Sequence, residues 1–334
     1  MMKRLTAAFI SVALICIGAV SNVQAYEQQH TTFRQGQNIL AAYHIKPDDI
    51  DNIKGVILFV HGDGAMPFDA HGYYEPIWQE LLNSGYAVFS WDKPGVGDSS
   101  GNWLDQSMKD RQNEVHSAIA FVKKTYAYKE GEIGLMGFSQ AGWVVPAVTK
   151  GNKDIGFMIG VGFAVNWIQQ SWYMTKIRLQ KEGATHTEIE HAYQEHIDEI
   201  KFWKNKPTYE EYIKQFAQDG DLMSEDRFKF VRKNITSDLR KDFQGIVQPV
   251  LILLGQEDLN VNTQNTQTIL NTIINTQNNV DIQTIPYATH ALLKHPEFGS
   301  QTFGLYFYLK LIWQGKDAFA PPFFNTLTNW IKVL

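Results

Sequence analysis

Short apolar runs alternate along this chain with stretches in which apolar side chains recur every three or four residues. Runs at 39–45, 56–60, 86–91, 132–136, 155–161, 249–254 and 280–285 read as strands. Helical patterns fall between them. One at 73–84 stops at Gly85, and one at 105–126 carries a single stripe of Val115, Ala118, Ile119 and Val122. Two more cover 140–149 and the Asn/Gln/Thr-rich 260–279, where Ile269, Leu270, Ile273 and Ile274 share one face. Strand-helix alternation of this kind predicts an α/β fold, a doubly wound and mostly parallel sheet with crossover helices.

The rhythm breaks over 166–245, which is charged, aromatic and helical, with Ile189, Tyr193, Ile197 and Ile200 at helical spacing. It predicts a helical cap inserted into a sheet domain formed by 26–165 and 246–334. Its position before the penultimate strand suggests a lid. At the N-terminus, Lys3 and Arg4 precede an apolar run from Leu5 to Val20 and the exit Val23-Gln24-Ala25. This pattern predicts a secretory signal over 1–25, export to the periplasm or medium, and no stable membrane anchor after cleavage. The competing readings are an uncleaved anchor, for which the run is short against the ~20 residues of a span, and lipidation at Cys16, disfavoured by Ile15.

Composition narrows the chemistry. With 334 residues, 44% of them hydrophobic, the chain can bury a large core, and its formal charge of −5 is spread out, so no nucleic-acid surface is expected. Cys16 is the only cysteine and departs with the signal, leaving no thiol nucleophile and no cysteine metal site. No His-x-x-x-His or Asp-rich metal spacing occurs, and the glycines of Lys93-Pro94-Gly95-Val96-Gly97 do not fit a phosphate loop. Neither cofactor nor metal is expected.

One serine stands out. Ile133-Gly134-Leu135-Met136-Gly137-Phe138-Ser139-Gln140-Ala141-Gly142 ends an apolar strand in a hydroxyl fenced by small residues, with a helical pattern behind it. A hydroxyl at a sharp strand-to-helix turn stands clear of the sheet, within reach of substrate and base. The structural alternative is a helix N-cap, a role serine fills well. The segment resembles the nucleophile elbow of the α/β-hydrolase family, with Ala141 in the place of the second glycine, and the likeness runs from about residue 39 to the C-terminus. That resemblance implies the order serine, acid, histidine. Asp258, after the strand at 249–254, and His290, after the strand at 280–285, then complete a triad with Ser139; Glu257 and His295 are their rivals. It also implies an oxyanion hole from the backbone N–H groups of Gln140 and Asp63, the latter in His61-Gly62-Asp63-Gly64, with His61 structural. Asp92-Lys93-Pro94-Gly95-Val96-Gly97-Asp98-Ser99 resembles a structural turn of many members.

A serine at the elbow argues against haloalkane dehalogenases and epoxide hydrolases, which need a carboxylate there. What remains is acyl transfer to Ser139 and then to water, with a small-molecule ester or lactone as substrate. Trp103, Trp143 and Trp172 are candidates for the substrate wall, against the default of core packing. The loops around His61, Asp92 and Ser139 resemble a bacterial subgroup that includes macrolide esterases, implying lactone opening. Two other readings stay open: a peptidase similar to proline iminopeptidases, with Glu182, Glu188, Glu190, Glu195 and Glu199 as candidate amine ligands, and a non-catalytic binding protein on the same fold.

Overall fold

Gly36, in the left-handed region at φ 58°, turns the chain between two ten-residue strands, β1 (Tyr26–Gln35) and β2 (Asn38–Pro47), which pair antiparallel. The computed structural model describes residues 26–47, 53–218, 220, 222–274, 279–301 and 304–334; the signal expected over 1–25, with Cys16, lies outside them. β2 pairs antiparallel with β4 (Tyr86–Trp91), and from there the sheet is parallel. Its remaining strands are β3 (Gly55–Val60), β5 (Ile133–Phe138), β6 (Ile155–Val161), β7 (Val250–Gly255) and β8 (Val280–Ile285). The spatial order is β1-β2-β4-β3-β5-β6-β7-β8, eight strands in a mostly parallel α/β-hydrolase sheet; the sequence predicts this class of sheet and seven of the eight strands.

Helices cover both faces. α1 (Glu75–Asn83), α2 (Met108–Tyr126) and α3 (Val145–Thr149) come from the first half of the chain. α4 (Trp167–Lys181), α5 (His186–Lys204), α6 (Tyr209–Phe216), α7 (Glu225–Asn234) and α8 (Arg240–Phe243) all fall between β6 and β7. α9 (Thr263–Ile273), α10 (Leu305–Gln314) and α11 (Pro322–Ile331) complete the fold. Because successive side chains of a strand point to opposite faces, β3 feeds two cores. Val56, Leu58 and Val60 pack with Val115, Ala118, Ile119 and Val122 of α2, while Ile57 and Phe59 pack with Ile77, Trp78 and Leu81 of α1 and Phe323 of α11. Among these five helices, α5, α6 and α7 share a small core of their own, Trp203, Tyr212, Phe228 and Val231, whereas Phe230 of α7 and Phe243 of α8 pack into the core of the sheet domain. An isolated bridge between Asn166 and Asp238 joins the two ends of this insertion.

Two expectations need correcting. The pattern over 140–149 is not one helix: a 3₁₀ segment, Ser139–Trp143, is followed at Val144 (φ −120°, ψ −59°) by the five-residue α3. Pro146 lacks the N–H that would continue the helical ladder back to Gly142, so the helix breaks where proline forbids it. The helix expected from residue 105 begins at Met108, because Ser107 forms a capping box with Asp110. The strand β1 has no counterpart in the sequence reading. Its run of Glu, Gln, His and Thr has only Phe33 buried, and its pairing is supplied by β2 rather than by its own pattern.

The central parallel strands therefore carry the stability. Ile57, fully buried between β4 and β5, should lose about 2–5 kcal/mol on Ile57→Ala, measured by chemical denaturation with an unchanged m-value. A loss below 1 kcal/mol would contradict this account of the core.

Candidate active site

β5 ends at Phe138, and Ser139 takes a positive φ of 50°, a conformation a β-carbon makes unfavourable by roughly 1–2 kcal/mol. The strain is tolerable because the turn is crowded by residues that hold it: a β-carbon on Gly137 would lie 2.8 Å from Val145 Cγ2 and 3.1 Å from Phe163 Cζ. The sharp reversal lifts the hydroxyl off the sheet. Ser139 is not an N-cap; the capping position is Phe138, with no side-chain cap bond, and the Ser139 hydroxyl points to a histidine instead.

That histidine is His290. Its Nε2 lies 2.9 Å from Ser139 Oγ and its Nδ1 2.7 Å from Asp258 Oδ2. Asp258 follows β7 with its side chain fully buried, and its Oδ1 accepts the backbone N–H groups of Asn260 (2.7 Å) and Val261 (2.8 Å). A carboxylate only accepts, so the neutral imidazole carries its proton on Nδ1, leaving the Nε2 lone pair to take the serine hydroxyl. Burial disfavours the imidazolium, but the Asp258 charge and hydrogen bond outweigh it and raise the His290 pKa above its ordinary value. Neither rival takes part: the partner of His290 is Asp258 rather than Glu257, and the base is His290 rather than His295. Gly162, beyond β6 at φ 63°, gives the ring its room, since a β-carbon there would stand 2.9 Å from His290 Cε1.

Gly62 brings a second loop against the serine; a β-carbon on it would lie 3.3 Å from Ser139 Cβ. Beside it, the N–H groups of Asp63 and Gln140 have no acceptor among the described residues. With the helix broken at Val144, no long helix dipole aims at this spot, so individual N–H groups must supply the positive charge. The loop is braced from below. Lys93 is buried and donates from Nζ to the carbonyls of Gly62 (2.6 Å) and Gly64 (2.9 Å), and its pKa is pushed well down by burial and the neighbouring Arg111. Arg111, also buried, donates to Gln140 Oε1 at 2.8 Å and to the His61 carbonyl. His61 is structural, its ring bonded to the Trp91 carbonyl and the Tyr74 hydroxyl, with its pKa lowered by burial to about 3. The 92–99 turn is structural too: Asp92 accepts from the Phe68 N–H, and Ser99 bridges Ala41 and Asp92.

A cavity of about 390 Å³ opens over Ser139 and His290. Its walls come from the core (Tyr73, Phe138), from the insertion (Trp167, Met174, Arg227) and from α10 (Phe307, Leu311). Of the three candidate tryptophans, only Trp143 lines it. Trp172 packs instead on Tyr193 and His196 within the insertion, and Trp103 packs on Phe230 beneath Lys93 Nζ and the Arg227 guanidinium. Aromatic residues in both places serve packing. Among the lining residues the sole carboxylate is Asp63, which the Arg227 guanidinium grips at 3.0 and 2.7 Å. Glu182, Glu188, Glu190, Glu195 and Glu199 are all exposed on α5 or just after α4, and none lines the cavity. Among the described residues no three His, Cys, Asp or Glu side chains group so as to hold a metal ion.

Sequence reasoning missed Arg227, Lys93, Arg111 and Gly162. Only Lys93 stood in a motif singled out by the sequence; the others gave no signal, because each meets the site through a contact far along the chain.

Residues 20–285 match the family model of the X-Pro dipeptidyl-peptidases, family S15. A search of curated proteins found no match. Among solved structures, the esterase Pf2001 of Pyrococcus furiosus superposes with a TM-score of 0.58 at 15% identity, covering 92% of this chain and 91% of that one. Est1E of Butyrivibrio proteoclasticus, solved with ferulic acid, gives 0.53 at 14% identity over 91% and 96% of the two chains. A proline iminopeptidase of Mycobacterium smegmatis gives 0.56 at 13% identity over 91% and 97%. At these identities the structures share the fold.

The raised His290 pKa fixes the sign of two pH trends. Activity needs the neutral imidazole, so kcat/KM should rise with pH through a midpoint above 6.5, and Asp258→Asn should move that midpoint down while lowering kcat by about 10⁴. Stability runs the other way: the pairing contributes fully below the unfolded value and fades as pH climbs through the folded one. A wild-type acid limb centred below the ordinary imidazole value would contradict the geometry.

Proposed function

Since this chain belongs to peptidase family S15 within the α/β-hydrolases and is a serine hydrolase, we propose that it cleaves carboxylic esters or lactones through an acyl-enzyme on Ser139. The observation that carries the ester reading is the cavity, whose walls are mainly apolar and whose one carboxylate is already neutralised by Arg227. A peptidase that holds a free substrate amine needs an unpaired acid at its site.

In this mechanism the Ser139 oxygen attacks the acyl carbon while His290 Nε2 takes its proton, and Asp258 holds the imidazole and balances the imidazolium. The oxygen of the tetrahedral intermediate is held by the N–H groups of Asp63 and Gln140. The intermediate collapses, the C–O bond to the leaving alcohol breaks, and His290 returns the proton to that oxygen. A water then attacks the acyl carbon, giving its proton to His290, which passes it to Ser139 as the acid leaves. In a lactone the alcohol and acid stay in one molecule, so hydrolysis opens the ring. The macrolide lactones implied by the loop resemblance are the narrowest member of this class, and action after export from the cell is part of the same proposal.

The second reading, an aminopeptidase or X-Pro peptidase, is favoured by the family's description and by the proline iminopeptidase likeness. One experiment separates them. A fluorophosphonate probe should label Ser139 in the mature protein, shown by peptide mapping, and Ser139→Ala should abolish both label and turnover. Aryl esters and lactones, macrolides among them, should be hydrolysed at least about 100-fold faster in kcat/KM than aminoacyl and X-Pro anilides. Faster turnover of X-Pro anilides would move the assignment to the peptidase, and a folded protein that takes no label would make it a binding protein.

A further inference from the structure

We infer that Arg227, on α7 of the insertion, is a positioning residue for the oxyanion-binding N–H groups of Asp63 and Gln140; the inference rests on the acyl-enzyme reading of the site. The two residues whose N–H groups are free beside Ser139 are tied to each other by their side chains, with Gln140 Nε2 donating to Asp63 Oδ1 at 3.2 Å. From one side Arg111 holds the Gln140 amide, and from the other Arg227 forks onto both oxygens of Asp63. Lys93 meanwhile fixes the carbonyls on either side of Asp63. Three of these partners belong to the sheet domain. Arg227 alone comes from the insertion, 164 residues further along the chain.

Its chemistry matters as much as its reach. The Asp63 carboxylate is carried by the same residue whose N–H would meet an oxyanion, and an unpaired negative charge there opposes the charge that develops in the transition state. Arg227 cancels it, with a planar fork that also fixes how the carboxylate lies. Burial raises the Asp63 pKa, yet Arg227 outweighs burial and holds the carboxyl below its usual range, so the pair stays charged at neutral pH. The guanidinium is itself seated on Phe230 and Trp103, 5.1 and 5.9 Å from the ring centres, which explains why those aromatics gather behind the cavity. The oxyanion site is therefore completed only when the insertion is docked on the core.

The test compares Arg227→Ala, Asp63→Asn and the double variant, read by steady-state ester hydrolysis and by the rate of fluorophosphonate labelling. Arg227→Ala should lower kcat and the labelling rate together by about 10- to 100-fold, short of the 10²–10³ for loss of a whole donor, with KM within about threefold. Its melting temperature should drop by no more than about 3 °C, since a pair still partly open to solvent contributes little. Added guanidinium ion should restore part of the Arg227→Ala rate and leave wild type unchanged. The double variant, with no carboxylate to neutralise, should recover to the level of Asp63→Asn. Losses that multiply in the double variant, an unchanged kcat, or a loss that guanidinium does not touch would overturn the role. A wild-type protein that takes no label would bring down the acyl-enzyme reading and this inference with it, whereas the variants judge the clamp alone.

Discussion

The hydrogen bond between Asp258 and His290 is the contact on which the site depends. A carboxylate with no exposed surface is costly to bury, and this one is stabilised by two backbone N–H groups on one oxygen and the imidazole on the other. Those three donors fix the plane of Asp258, Asp258 fixes the ring of His290, and the ring fixes the one direction from which Ser139 can lose its proton. The sheet makes this possible, because the loops after β3, β5, β7 and β8 all leave from the same edge, the carboxyl ends of parallel strands. Four segments far apart in sequence meet there because the strand order brings them together.

Much of this was legible in the residues. Strands buried on both faces announce themselves as short apolar runs, so β3 to β7 lie where the pattern puts them; Ser139 and Asp258 each follow such a run, and His290 follows the more exposed β8. What escaped was decided by partners that no local pattern reveals. β1 is polar and exists because β2 offers it an edge. The pattern over 140–149 reads as one helix, yet Pro146 withholds the bond that would join its halves. Trp103 and Trp172 were reasonable wall residues by type, and their packing elsewhere reflects the usual fate of aromatics.

Charge is the other part the sequence hid. Lys93, Arg111 and Arg227 read as ordinary basic residues, two in a turn and a helix of the core and one in the insertion, but all three converge beneath or beside one loop. Two of them, Lys93 and Arg111, are almost fully buried, with carbonyls and the Gln140 side-chain oxygen accepting hydrogen bonds from Lys93 Nζ and the two terminal nitrogens of Arg111. The loop beside Ser139 is thereby braced from beneath by hydrogen bonds to its carbonyls.

The separate core of the insertion has a consequence for how the cavity wall tolerates substitution. Trp203, Tyr212, Phe228 and Val231 hold α5, α6 and α7 together without drawing on the strands, and the segment leaves and rejoins the chain at one narrow neck. Substitutions at Trp167, Gln170, Ser171 or Met174 reshape what the cavity accepts while the strand ladders stay paired. The cavity wall can thus be altered from the insertion while the strand ladders that carry Ser139 and Asp258 stay in place.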